Sequence, residues 1–234
     1  MKMLNRGSEW HKWDLHVHTP ASVLRNDFGE DWDEYVQKLF RKAISENIRA
    51  IGVTDYYSIA GYKKLIQEYV SKPSKMQTLF EEEEIRYIDQ LLIFPNIEFR
   101  LTKFVSGTPK DLDKLNRKLN YHVLLSNDIS IEDIEHNFLA QIQFEYNAGI
   151  GQEIETRSLT ANNLENFGKR LKSEHDAFST KSDMYIGMMC ASVDESQIVK
   201  LLNSSNFKGK YLLGVNPDED LSLIHISEPT RPRS

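Results

Sequence analysis

The sequence predicts an α/β fold built on a mostly parallel sheet or barrel. Three observations carry that prediction. Short apolar runs alternate with amphipathic stretches along most of the chain, the pattern of strand–helix–strand units. The chain has 234 residues, 40% of them hydrophobic, enough for a sizeable core. Two acidic residues, Asp55 and Glu98, close candidate strands, the end of an α/β sheet where ligands gather.

The elements follow in order. Trp13 to Val17 reads as a strand. Asp31 can cap a helix from Trp32 to about Glu46, with Tyr35, Val36, Leu39, Phe40, Ala43 and Ile44 on one face. Ala50 to Thr54 (AIGVT) reads as a buried strand, and Ser58 can cap a helix carrying Tyr62, Leu65, Ile66 and Tyr69. Lys75 to Gln90 looks helical, and its acidic run, Glu81 to Glu84, reads as a solvated face. Leu91 to Phe94 and Ile97 to Leu101 are strand-like around Pro95, and Tyr121 to Leu125 is another strand. Ile131 to Ile142 reads as a helix, while Gln143 to Thr156 is harder to read, with loop as the expectation. Thr160 can cap a helix to about His175. Met184 to Ala191 and Tyr211 to Val215 are strand candidates, with a helix from Asp194 to Leu202 between them.

Composition narrows the function classes. The net charge of -6 argues against a surface that coats nucleic acid, which needs a basic excess. It leaves room for a nuclease, because bound divalent ions can supply positive charge where phosphate docks. The single cysteine, Cys190, excludes an internal disulfide framework and fits a reducing cytoplasm. Met1 to Trp13 holds no apolar run of the signal-peptide kind, and no stretch approaches the ~18 apolar residues of a membrane span. A soluble, cytoplasmic protein with no membrane partner is the expectation.

The end of the chain is anomalous. Leu221 to Arg231 (LSLIHISEPTR) resembles the in-frame translation of a transposase adapter used to prepare sequencing libraries. The expected division is therefore one incomplete domain over residues 1–220 and a non-native tail over 221–234. His225 drops out as a candidate ligand, and the natural product is expected to continue past Asp220.

The strongest chemical signal is Asp14-Leu15-His16-Val17-His18-Thr19-Pro20. Alternate side chains of a strand share a face, so His16 and His18 point the same way, roughly 6.5–7 Å apart along the chain. Two neighbouring imidazoles suit one or two divalent metals, although a lone HxH is common and also fits solvent-facing histidines. Context strengthens it. The second strand ends at Thr54-Asp55, and the third apolar segment ends at Pro95-Asn96-Ile97-Glu98. Such acids are costly to bury unless paired or metal-bound, yet singly each also fits a helix cap or an ion pair. His122 opens the strand Tyr121-His122-Val123-Leu124-Leu125, where a core histidine bonded to backbone is the bland alternative.

Taken in order, DLHVHTPAS, AIGVTD, PNIEF and YHVLLSN resemble the PHP (polymerase and histidinol phosphatase) superfamily. YHVLLSN is similar to the corresponding motif in the PHP domains of bacterial replicative DNA polymerases. With TDYYSIAGYKK and IFPNIEFRL, the set is most similar to a subgroup whose N-terminal PHP domain is fused to a large SMC-like or AAA-type ATPase. The resemblance spans Trp10 to Asn127. It implies a distorted (β/α)7 TIM-like barrel, incomplete here, with two or three divalent ions: zinc, manganese or iron. On that implication His16, His18, Asp55, Glu98 and His122 are metal-binding and catalytic residues, with Asp55 a ligand or an orienting group.

Two departures matter. The family usually carries histidine directly after the second-motif aspartate, where this chain has Tyr56. The late histidine and Asp-x-His of the family are not visible. After His122 the native histidines are His136 and His175, read as surface residues, and Cys190 reads as a small core residue rather than a thiolate ligand.

The resemblance implies a metal-dependent phosphoesterase acting on phosphodiesters of nucleic acid, within a larger ATPase-linked protein whose remainder is absent from this chain. A small-molecule phosphatase and a degenerate PHP domain serving as a structural or regulatory platform are the alternatives. An amidohydrolase also begins with HxH, but no metal-bridging lysine appears on a middle strand. The 234-residue chain alone is expected to expose a sheet edge and to show little activity.

Overall fold

The fold is taken from a computed structural model, which describes residues 10–24, 28–104, 118–147 and 155–216. The expected boundary at Asp220, and the tail 221–234 with His225, lie outside the described residues. The architecture is mixed α/β. Strands β1 (Lys12–His18), β2 (Ile48–Tyr56), β3 (Leu92–Phe104), β4 (Lys118–Leu125) and β7 (Tyr211–Asn216) form one sheet in the order β1-β2-β3-β4-β7. A separate two-stranded ribbon pairs β5 (Gln143–Asn147) with β6 (Glu155–Ser158) in the stretch expected as loop.

Strands β1, β2 and β3 pair in parallel, β4 joins antiparallel to β3, and β7 joins antiparallel to β4. Four of the five strands therefore share one direction, the mostly parallel sheet that the sequence predicts, and β4 alone is reversed. An apolar strand reads alike in either direction, so its sense is not legible from its own residues. Among the described residues β1 and β7 are the two edges, with no pairing between them.

One face of the sheet is packed by helices. Helix α1 (Trp32–Ser45) is capped by Asp31, whose side chain accepts from Glu34 N, and it buries Tyr35, Val36, Leu39, Phe40 and Ala43. These join Ile51 and Val53 of β2, Ile97 and Phe99 of β3, and Val123 and Leu125 of β4 in one hydrophobic cluster. Burying each such side chain stabilises the fold by about 1.5–3 kcal/mol before entropy is counted. The opposite face is polar at its carboxyl-terminal end and apolar below, where Trp13 and Leu92 are 55% and 45% exposed.

Helix α2 (Ala60–Lys64) runs on as a π turn over Leu65–Val70. Its cap position is Ile59 rather than Ser58, although Ser58 Oγ accepts from Ala60 N at 3.0 Å. The expected helix over 75–90 is two helices, α3 (Pro73–Leu79) and α4 (Glu82–Ile88), broken at Phe80. The acidic run caps α4: Glu81 and Glu84 satisfy each other's backbone N–H. Helix α5 (Ile131–Asp133) continues through π and 3-10 turns to Gln141. Helices α6 (Ala161–Glu174) and α8 (Glu195–Leu202) stand where expected, capped by Thr160 and Asp194.

The strand expected over Met184 to Ala191 is instead helix α7 (Asp183–Cys190). A continuous apolar run cannot by itself separate a buried strand from a buried helix. Ser182, whose side chain accepts from Tyr185 N, starts the helix. Gly187 then lets it press onto α6, where an added Cβ would lie 1.9 Å from Leu164 O. No helix among the described residues is long and apolar enough to cross a membrane.

Candidate metal centre

The site begins with a bulge in β1. Asp14 pairs with Ile51 and Val17 with Val53, so two residues of β1, Leu15 and His16, face the single Gly52 of β2. Glycine is required there, because a Cβ would lie 2.3 Å from Leu15 O. Asn96 pins the bulge by donating from Nδ2 to Leu15 O at 2.8 Å and to Thr54 Oγ1 at 3.0 Å. The extra residue leaves His16 and His18 on one face while Asp14 turns to the helix-packed face.

On β3, Asn96 and Glu98 share the face of the two histidines. Register brings Glu98 beside Tyr56 of β2 and His122 of β4. Glu98 is fully buried. Its Oε2 lies 3.3 Å from His16 Nε2 and 3.6 Å from His18 Nε2. The ligand atoms of His16, Glu98 and His122 all fall within 4.8 Å of one another. His16 and His122 meet edge to face, with centroids 4.5 Å apart.

The polar surroundings orient these groups. His18 Nδ1 is 3.1 Å from Thr54 O and 3.2 Å from Ser22 Oγ. A carbonyl only accepts, so His18 Nδ1 carries the proton and Nε2 presents its lone pair to the cluster. His16 Nε2 lies 3.1 Å from that nitrogen, a separation that calls for a proton or a cation between them. Both carboxylate oxygens of Glu98, and His122 Nε2, are buried without a hydrogen bond among the described residues. Buried polar atoms of this kind are costly unless a partner satisfies them. A divalent ion fits this donor set of imidazoles and one carboxylate.

The titration behaviour follows from the packing. Burial pushes Glu98 upward, but the close approach of His16 and the electrostatic pull of the His122, His16 and His18 imidazoles outweigh it, leaving the carboxyl below its ordinary range. Burial lowers His122 to about 4, against the opposing pull of Glu98. The low value keeps the imidazole neutral, the form that binds metals.

Asp55 stands apart. It pairs with Ile97 and therefore projects from the opposite face of β2. Its carboxylate accepts from Thr19 Oγ1 at 3.1 Å and from Gly61 N at 2.6 Å, at the start of α2. Burial raises it to about 6, against both hydrogen bonds. Asp55 thus ties β1, β2 and α2 together behind the cluster. His136 and His175 are exposed, and Cys190 closes α7 partly buried.

Asn96, Tyr56 and Tyr57 also shape the site. Asn96 was named only as part of its motif, yet it holds the bulge and lies 3.3 Å from His122 Nδ1. Tyr56 stacks on His18 at 5.3 Å and 16°. Tyr57 adopts φ 55, a left-handed conformation uncommon for an aromatic residue. Its N–H donates to Glu98 O at 3.1 Å and its hydroxyl to Ala191 O at 2.8 Å, which fixes the end of β2 beside Glu98. Comparison of the chain with protein-family models, with curated proteins and with solved structures finds no match in any of the three.

Proposed function

We propose that this chain is the metal-binding part of a PHP-type, metal-dependent phosphoesterase, with its strands belonging to a distorted (β/α)7 barrel. The observation that carries the reading is the convergence of His16, His18, Glu98 and His122 from three strands on one buried point. They are four of the five residues that the sequence motifs single out, Asp55 being the one that projects from the other face. His16, Glu98 and His122 would hold a divalent ion, with His18 completing the set from its fixed tautomer. Such an ion supplies charge neutralisation for a phosphoryl group and makes water more acidic. The chain's own residues bind and orient: Thr54 fixes His18, Asn96 holds the β1 bulge, and Tyr57 fixes the strand end.

The proposed substrate is a phosphodiester of nucleic acid, within a larger ATPase-linked protein. That part rests on the resemblance of the motifs. Tyr56 favours a second reading, a PHP domain reduced to a structural or regulatory platform, because its phenol stacks on His18 at the position where the family carries a further imidazole. The two readings separate in one experiment. Metal content of the purified protein is measured together with hydrolysis of bis-p-nitrophenyl phosphate by the protein carrying its downstream sequence. Tightly bound metal with hydrolysis supports the phosphoesterase. No metal, with folding indifferent to chelator, supports the platform.

A further inference from the structure

Resting on the phosphoesterase reading, we propose that Arg100 is the cationic contact for the substrate's phosphoryl group. Asn96, Glu98 and Arg100 alternate along β3 and share a face, so Arg100 lies roughly 6.5–7 Å from Glu98 along the strand. Register places it beside Asn120, just as Glu98 lies beside His122. Among the described residues, Arg100 is the one arginine on this face of the sheet.

Its side chain is held toward the cluster. Nη1 donates to Met189 O at 3.2 Å, and the guanidinium sits 5.9 Å over the Tyr56 ring, which in turn stacks on His18. A guanidinium is a planar fork of five N–H donors that matches phosphoryl oxygens two at a time. Asn120, across the strand pair, has a buried side-chain oxygen with no hydrogen bond among the described residues. An O–H or N–H of a bound ligand would satisfy it. A phosphoryl group seated against the imidazole–carboxylate cluster would meet Arg100 beside the Tyr56 ring. Tyr56 then acts as the wall joining the two parts, which accounts for an aromatic residue at this position.

The test is titration of inorganic phosphate into the manganese-loaded chain by calorimetry, for the wild type, Arg100→Gln and Arg100→Lys. Loss of a charge-assisted bidentate contact is expected to weaken phosphate binding about 10- to 100-fold in R100Q. R100K should fall between, keeping the charge and losing the fork. Manganese content should be unchanged in both. Phosphate binding in R100Q within about twofold of wild type, or no phosphate binding by the wild type, overturns the proposal. If R100Q does not fold, R100K decides: several-fold weaker binding supports the proposal and unchanged binding refutes it. If the wild type takes up no manganese yet loses phosphate on R100Q substitution, the phosphoesterase reading falls and the Arg100 contact stands.

Discussion

Replacing Glu98 by glutamine separates a metal site from an ordinary buried ion pair. The carboxylate is fully buried, and its oxygens find imidazole nitrogens at 3.3 and 3.6 Å but no hydrogen bond among the described residues. In the metal-free chain two effects oppose each other: relief from burying a charge, and loss of attraction to the histidines. The net change is expected within about 1 kcal/mol. With metal the outcome differs sharply. Loss of a charged ligand should weaken affinity ~100-fold, since even an outer partner of a ligand commonly accounts for 10–100-fold. At metal equal to ~100 times the wild-type Kd, binding stabilises wild type by about 2.7 kcal/mol, but E98Q by only about 0.4 kcal/mol. At roughly 2–4 °C per kcal/mol for a chain of this size, wild type should gain about 5–11 °C and the variant about 1–2 °C. Thermal unfolding with chelator and with manganese or zinc measures both. Equal metal-induced shifts in the two proteins would refute the reasoning, as would a large loss of stability confined to the metal-free variant.

Three further outcomes follow from the same geometry. His122 is held at about 4 in the fold against an ordinary value near 6.5. Its stabilisation is therefore complete above pH 6.5 and is lost as pH falls toward 4, by up to about 3 kcal/mol. Asp14 and Asp55, both raised to about 6 by burial, act with the opposite sign. Their contribution fades as pH rises from their ordinary value toward 6, so the slope belonging to His122 is read from wild type minus His122→Gln in denaturant melts; identical curves would contradict it. Asp55→Asn, on the far face of β2, should leave metal affinity within about threefold, because no rearrangement of ligands is involved; a loss as large as that of E98Q would place Asp55 in the site after all. Gly52→Ala forces a Cβ to within 2.3 Å of Leu15 O, and equilibrium unfolding should show a cost of about 1–3 kcal/mol or more, with weaker metal uptake as the bulge shifts.

Much of the site was legible because strand alternation is a rigid rule. It put His16 and His18 on one face, and the order of the motifs named Glu98 and His122 as their companions. The same rule would have removed Asp55 had the register of β2 against β3 been known: a residue adjacent to Tyr56 must face the other way. Register depends on pairing between distant segments, so a single strand's residues do not reveal it. The β1 bulge was hidden for the same reason, since an extra residue exists only relative to its neighbour, Gly52. The helix at Asp183–Cys190 was missed because MYIGMM is apolar at every phase. Its tell-tale was Ser182, a cap placed just before the run. Caps elsewhere, at Asp31 and Thr160, marked their helices correctly because a side chain accepting a free N–H acts locally.

The proposed function needs residues of three strands to chelate one cation, and His16, Glu98 and His122 are placed so that they could hold it. Anomalous diffraction from crystals grown with zinc or manganese addresses it directly. A peak within bonding distance of His16, Glu98 and His122 is expected. Clear density for those side chains with no peak between them at saturating metal, or a peak held by other residues, would contradict it.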